Sequence, residues 1–379
     1  MTRTYTAKRR ELATLRLGVQ RIAPSSASSS SASLSPQTAS VAATVRHSLA
    51  MQAQDFAGAK WSVGLRTEGS TDAAIEAALA TGDIVRSWPM RGTLHFVAPD
   101  DLGWMLGLTA ARTIRSSAGR HRQLELTEQD CATARDAAVA ALTGGRALPR
   151  DELLACFEAA GVSTAGQRGI HLINRLSLWG VLVFGPLQPG VDGKAKKQTF
   201  VLLDEWVPEP RRLDRDEALG EFALRYFRGH GPATVRDFAW WSSLTLTDAR
   251  AGLAIARPHL DELVVDGTSY FLPGDAAAAA SAVFALPGFD EYLLGYQDRS
   301  AALAPDHSEL VVPGKNGLFL PTIVVDGEIV GTWRRTTTVK GVSVEPQPFG
   351  RLAAKDAAAF DRAVERYAAF LGTPLLPRA

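Results

Sequence analysis

Three times along this chain a Ser, Thr or Asp residue stands just before a short helical pattern, and each time an alternating stretch around a turn follows. That recurrence constrains the fold more than any other feature, because capping residues and turn residues punctuate the same places in each copy. In the first copy a helix over 55–66 precedes Ser70-Thr71-Asp72, which cap a second helix over 73–80. A hairpin over 83–97 follows, with Pro89 at its bend. The second copy has helices over 150–160 and 167–179 separated by Thr164, then a hairpin over 181–205 with a lysine cluster at its tip. The third has helices over 234–241 and 247–256 around Thr245, then a hairpin over 263–272 turning at Asp266-Gly267, a strong two-residue turn signal. Two helices and a hairpin wing make a winged helix. The expected fold is therefore α+β, with three tandem winged helix-turn-helix domains. A small antiparallel β unit and a C-terminal helix over 355–371 complete it, with strands over 317–325 and 328–338 around Asp326-Gly327. The expected boundaries are 8–110, 111–212, 213–275 and 283–379; the competing reading is a generic mixed α+β protein.

At 379 residues the chain exceeds one ordinary core, and modules of roughly 70 to 120 residues are expected. With 46% hydrophobic and 21% charged residues it has the composition of a soluble globular protein, and no apolar run approaches a membrane span. The N-terminus carries Arg3, Lys8, Arg9 and Arg10 without a following apolar region, so it is not expected to be a secretory signal. An amphipathic helix over 8–22 (Leu12, Leu15, Leu17, Val19, Ile22) ends before Pro24. The low-complexity Ser25–Ser40 stretch inside the first domain reads as a flexible surface insertion. Cys131 and Cys156 read as small core residues suited to a reducing cytoplasm, and two cysteines alone build no zinc site. No metal or cofactor is expected.

Net charge is only +1, so the distribution carries the information. Arg112, Arg115, Arg120, His121 and Arg122 form one basic run without an acid. Lys194, Lys196 and Lys197 form a second, and Arg334, Arg335 and Lys340 a third. Basic stripes on a neutral protein fit phosphate contact at one face; the alternative is ordinary solvated surface.

The pair Gln52 and Gln54 stands between two helical patterns. Within a helix, side chains two apart diverge by about 200° and share no target. Asp55 is a good N-cap for the helix that follows, which places Gln52-Ala53-Gln54 in a non-helical junction where both amides can face one way. One reading has the two amides capping helix ends or facing water; the other is chemical.

The runs Met51-Gln52-Ala53-Gln54-Asp55-Phe56, Arg86 to His95, Val201 to Trp206, Leu286 to Arg299 and Gly331 to Arg334 together resemble the winged-helix DNA glycosylases of the AlkZ-like family. The resemblance covers nearly the whole chain after the serine-rich insertion. It implies a concave protein of winged helices with a catalytic Gln-x-Gln pair, here Gln52 and Gln54, in its cleft. It also implies monofunctional removal of N-alkylated purines from double-stranded DNA, leaving an abasic site. Some relatives unhook interstrand crosslinks. A sister subgroup has aspartate at the second position; Gln54 sets this chain in the glutamine branch, and Asp55 is not that aspartate. The implied protein is a monomer of the cytoplasm, associated with the nucleoid and not with membrane.

The chemistry is reasonable for neutral amides. A purine alkylated at N7 or N3 is cationic, so its departure needs little protonation. One glutamine can position water while the other lays its carbonyl dipole against an oxocarbenium-like sugar. On the expected strand over 91–97, Arg91, Thr93 and His95 share a face. Arg91 and His95 either meet phosphate or are satisfied by neighbours. Asp290, Asp298 and Arg299 read first as a structural ion pair at a domain junction and second as support for the site, and Lys315 beside Asn316-Gly317 as a turn able to probe a groove. The competing function is a non-catalytic transcriptional regulator, against which the alanine-rich helix over 73–80, with its capping Asp72, brings Asp72 and Glu76 and no basic residue. No paired Asp/His run has metal-ligand spacing for a nuclease.

Overall fold

The structure is a computed structural model that describes residues 4–6, 9–22, 40–189, 196–315 and 317–378. Most of the serine-rich insertion and the tip of the second hairpin, including Lys194, lie outside the described residues. Internal contacts divide the chain into two compact units, one of residues 1–75 with 219–379 and one of residues 76–218. In the first, segments at opposite ends of the sequence share a core.

The unit of residues 76–218 contains five strands of an antiparallel sheet, in the spatial order Thr93–Val97, Val85–Met90, Leu182–Pro189, Lys196–Leu202, Leu148–Pro149. Its first hairpin turns at Arg91-Gly92, both with positive φ (55° and 67°), the backbone that a two-residue turn with strand-matched twist requires. The bend is therefore not at Pro89, as the sequence suggests. Pro89 lies inside Val85–Met90, where the register shifts between Ser87 and Met90, and such an irregularity tolerates a residue without an N–H. Arg91 accordingly belongs to the turn, and the strand begins at Thr93.

Beside this sheet run the helices Pro99–Gln123, Glu128–Leu142, Arg150–Ala159 and Arg168–Leu178. The first is 25 residues long, with Pro99 at its start, Asp100 and Asp101 in its first turn and Arg120, His121 and Arg122 in its last, which complements the helix dipole at both ends. Thr127 and Asp130 form a reciprocal capping box on the second. Leu153, Phe157, Leu172, Ile173, Leu176 and Phe200 are buried in this unit's core.

The other unit holds two sheets. Asp261–Val265 and Thr268–Leu272 form the hairpin at Asp266-Gly267 (φ 49° and 76°), and Thr4–Thr6 adds to it in parallel. The helix Arg9–Val19 packs Leu12 and Leu15 against Leu263, Val265, Tyr270 and Leu272. Val235–Ser242 and Leu246–Ala256 precede this hairpin, N-capped by Thr234 and Thr245, so this segment reads helix, helix, hairpin along the chain. The second sheet is a four-stranded antiparallel meander, Val283–Leu286, Thr322–Val325, Glu328–Thr338 and Gly341–Pro348. The strand expected over 317–325 is thus confined to its last four residues.

The C-terminal helix Ala354–Leu371 closes this unit around Trp61, whose ring centroid lies 5.2 Å from Tyr367 and 5.1 Å from Phe370. Trp61 also donates from Nε1 to the Ala285 carbonyl at 2.9 Å, which ties the helix Phe56–Leu65 to the meander. A Cβ at Gly64 would stand 2.3 Å from the Phe370 ring, so only glycine permits this approach of two helices.

Candidate active site

The helix Val41–Ser48, capped by Ser40, ends at Leu49, whose φ of 64° turns the chain into the short strand Ala50–Gln52. A bend at Gln54 and Asp55 leads into the helix Phe56–Leu65. The Gln-x-Gln pair therefore lies in a non-helical junction. Asp55 occupies the N-cap position without a side-chain capping bond; its Oδ2 lies instead 3.5 Å from Arg335 Nη2. Gln52 is 9% exposed, and among the described residues its side-chain oxygen is buried with no hydrogen-bond partner. Gln54 is exposed.

The main chain of Gln52 is held from far along the sequence. Its N–H donates to Glu291 Oε1 at 2.8 Å, while Glu291 Oε2 accepts from Trp241 Nε1 at 2.8 Å. His230 Nε2 lies 3.4 Å from the same Oε2, with its ring stacked on Tyr226. Beside it, Asp290 accepts from both terminal nitrogens of Arg66 and from Ser62 Oγ, all within 2.6–2.8 Å. Gln20 links Arg66 Nη2 (2.8 Å) to the Tyr296 hydroxyl (2.9 Å). Asp290 also caps Glu291–Leu294 through the Tyr292 N–H. Burial pushes the phenols of Tyr226, Tyr292 and Tyr296 well above their ordinary range, so they act only as neutral donors and acceptors here. Asp290 thus pairs with Arg66. Asp298 accepts from Ser300 N in its own loop, and the Arg299 guanidinium lies over the Trp240 and Phe319 rings, 5.0 Å from each.

Sequence reasoning missed Glu291, Trp241 and Arg66. The available signal was Asp290-Glu291 itself, two adjacent acids before the apolar Tyr292-Leu293-Leu294; buried carboxylates require buried donors.

The basic residues divide between the units. In the unit of residues 76–218, Arg112, Arg115, Arg120 and Arg122 are all exposed on the long helix. Arg112, Arg115 and Arg122 fall within ~80° of its circumference at 3.6 residues per turn. Arg120 donates to Gln123 Oε1 and Gln167 Oε1. Lys196 pairs with Glu76, and Lys197 with Asp151 at 2.8 Å. Arg91 Nη2 lies 3.2 Å from His95 Nε2, and His95 Nδ1 meets the Thr93 carbonyl at 2.9 Å. His95 is 0% exposed, a buried neighbour of Arg91. In the other unit, Arg334 is exposed on Glu328–Thr338. Lys315 ends a short 3-10 turn over Pro313–Lys315, and Asn316 lies outside the described residues.

Among the described residues, no group of three or more His, Cys, Asp or Glu side chains is placed to hold a metal ion. No described helix is long and apolar enough to cross a membrane.

Comparison with known proteins supplies the remaining constraint. The family model of the DNA glycosylase AlkZ-like proteins matches residues 45–370. A relative from Streptomyces sahachiroi, named interstrand DNA cross-link repair glycosylase, is 30% identical over 313 residues, covering 75% of this chain and 79% of its own. The solved structure of Streptomyces sahachiroi DNA glycosylase AlkZ matches with a TM-score of 0.77 and 25% identity, over 98% of this chain and 99% of that one. By the extent of these matches, the chain belongs to the DNA glycosylase AlkZ-like family.

Proposed function

We propose that this DNA glycosylase hydrolyses the N-glycosidic bond of purines alkylated at N7 or N3 in double-stranded DNA, with Gln52 and Gln54 as its catalytic residues. The observation that carries this reading is the Gln52 amide: its main chain is anchored, while its side-chain oxygen is buried with no hydrogen-bond partner among the described residues. A fixed, unsatisfied carbonyl dipole is suited to stabilising positive charge that develops only in the transition state. Gln54, two residues on and exposed, orients the attacking water. Water adds to C1′ as the C1′–N bond breaks, and the bonding pair leaves with the purine and neutralises its positive ring. The water proton passes to solvent, and the products are free base and an abasic site.

The relative's name extends the reading to crosslinks, since cleavage at one of two joined purines unhooks them. Phosphate contact falls to Arg91, Arg112, Arg115, Arg120, Arg122, Lys194, Lys196, Lys197, Lys315 and Arg334. The architecture is read as three winged helices, 8–110, 111–212 and 213–275, with a β unit over 283–379, acting as a monomer on the cytoplasmic nucleoid. The helix–helix–hairpin order of Val235–Leu272 supports this most directly. A regulator without catalysis is disfavoured by the family and by the helix Asp72–Thr81, which holds Asp72 and Glu76, paired with Lys60 and Lys196, and no basic residue.

The test is base release from duplexes carrying 7-methylguanine, an undamaged guanine or a nitrogen-mustard crosslink, in chelator. Release from the first and third and not from the second supports the reading. Equal release from undamaged purines contradicts it, because neutral amides accelerate only departures that are already close to spontaneous.

A further inference from the structure

The carboxylate of Glu291 meets the Gln-x-Gln junction at the main chain of Gln52. Its Oε1 takes the Gln52 N–H at 2.8 Å, and its Oε2 is fixed by the Trp241 indole at 2.8 Å. Glu291 is 2% exposed, so this bond is made where water does not compete and where its loss leaves a donor unsatisfied. The adjacent Asp290 grips the far side of the same junction through Arg66 and Ser62, near the end of the helix that follows the two glutamines. Two consecutive carboxylates thus bracket Gln52-Ala53-Gln54, one before it and one after. The next residue, Tyr292, makes a separate contact: its hydroxyl donates to the Gly327 carbonyl at 2.6 Å.

We propose that Glu291 is a positioning residue for base excision: it fixes the Gln52 main chain, and through it the side-chain amide, at the place where the sugar cation forms. The proposal rests on the reading of Gln52 as catalytic. Glutamine at 291 keeps the shape and an acceptor, but turns an N–H group toward the Trp241 N–H or the Gln52 N–H. One of the two anchors is then lost.

The experiment measures single-turnover release of 7-methylguanine at saturating enzyme, together with duplex affinity and melting temperature, for the full-length native protein and its variants. Glu291→Gln is expected to slow release by ~100-fold, the cost of misplacing a reacting group by about an ångström, with duplex affinity unchanged. Trp241→Phe, which removes the indole donor to Oε2 while leaving Oε1 in place, is expected to slow it by ~10-fold. In the Glu291→Gln background the same Trp241→Phe change removes the opposed donors and raises the rate. Tyr292→Phe, which deletes a hydrogen bond from the neighbouring residue without touching Gln52, lowers the melting temperature and leaves the rate alone.

A native rate in a folded Glu291→Gln protein, while Gln52→Ala is inactive, overturns the positioning role and leaves the functional reading standing. Should Glu291→Gln not fold, a native rate in Trp241→Phe overturns it equally. A Tyr292→Phe loss as large as that of Glu291→Gln also overturns it, since the effect then follows stability alone. Absence of release by the native protein overturns the functional reading and this proposal together.

Discussion

Arg66 places both terminal nitrogens on the Asp290 carboxylate, Nη1 at 2.8 Å from Oδ2 and Nη2 at 2.7 Å from Oδ1, with side-chain exposures of 1% and 3%. The pair joins the helix after the two glutamines to the residue beside Glu291. A bidentate pair so fully desolvated cannot lose one partner cheaply, because the other remains as a buried charge.

Arg66→Met is therefore expected to destabilise the protein by about 3–5 kcal/mol in denaturant unfolding. Arg66→Lys should recover little of it, since one ammonium cannot reproduce the fork. A loss below about 1 kcal/mol for Arg66→Met, the value of an exposed pair, would contradict the buried geometry.

Gly64 governs how closely the helix Phe56–Leu65 approaches Phe370. Gly64→Val is expected to cost about 1–3 kcal/mol by overpacking. Phe370→Leu should restore part of that loss in the double variant, because it removes the ring atoms 2.3 Å from the new Cβ. Additive effects of the two substitutions would argue against the contact.

His47 provides a pH test. Burial, reinforced by Arg21, lowers its pKa to about 4, and its Nε2 donates to the Val19 carbonyl at 2.7 Å. Because the folded pKa lies below the ordinary value of about 6.5, the unfolded chain binds the proton more readily between these values. Stability contributed by neutral His47 is thus complete above about pH 6.5 and is lost as pH falls toward 4, by at most about 3 kcal/mol. Urea unfolding at a series of pH values should show this slope, and His47→Gln should flatten it; a slope unchanged by the substitution contradicts the assignment.

Arg112, Arg115 and Arg122 share one arc of an exposed helix face. If they neutralise phosphates, each substitution by alanine reduces the salt dependence of duplex affinity by about 0.9 in log–log slope. An unchanged slope in the triple variant would mark them as solvated surface.

The parts of this fold that were legible in the sequence are those set by local backbone chemistry. Asp266-Gly267 and Asp326-Gly327 turn with positive φ at both positions, and Thr234 and Thr245 cap the helices they precede. Local rules misplace Pro89, because a sheet irregularity rather than a turn accommodates it. They also pass over the helix Pro99–Gln123, whose basic end reads as a stripe of charge rather than as a helix terminus suited to cations. Pairings across long sequence distances left no local trace. Thr4–Thr6 adds to the strand Asp261–Val265, and Glu291 reaches Gln52 over 239 positions. Gln52 and Gln54 were legible only through family resemblance, whereas the carboxylate that holds Gln52 needed the structure.

On this reading the glutamine pair performs excision without being needed for DNA binding. The deciding measurement is 7-methylguanine release and duplex affinity, in chelator, for the native protein, Gln52→Ala and Gln54→Ala. Each substitution is expected to slow release by at least ~100-fold, in the range for loss of an oriented dipole or positioning group, while affinity for undamaged duplex stays native. Release that persists in both variants at the native rate would contradict it.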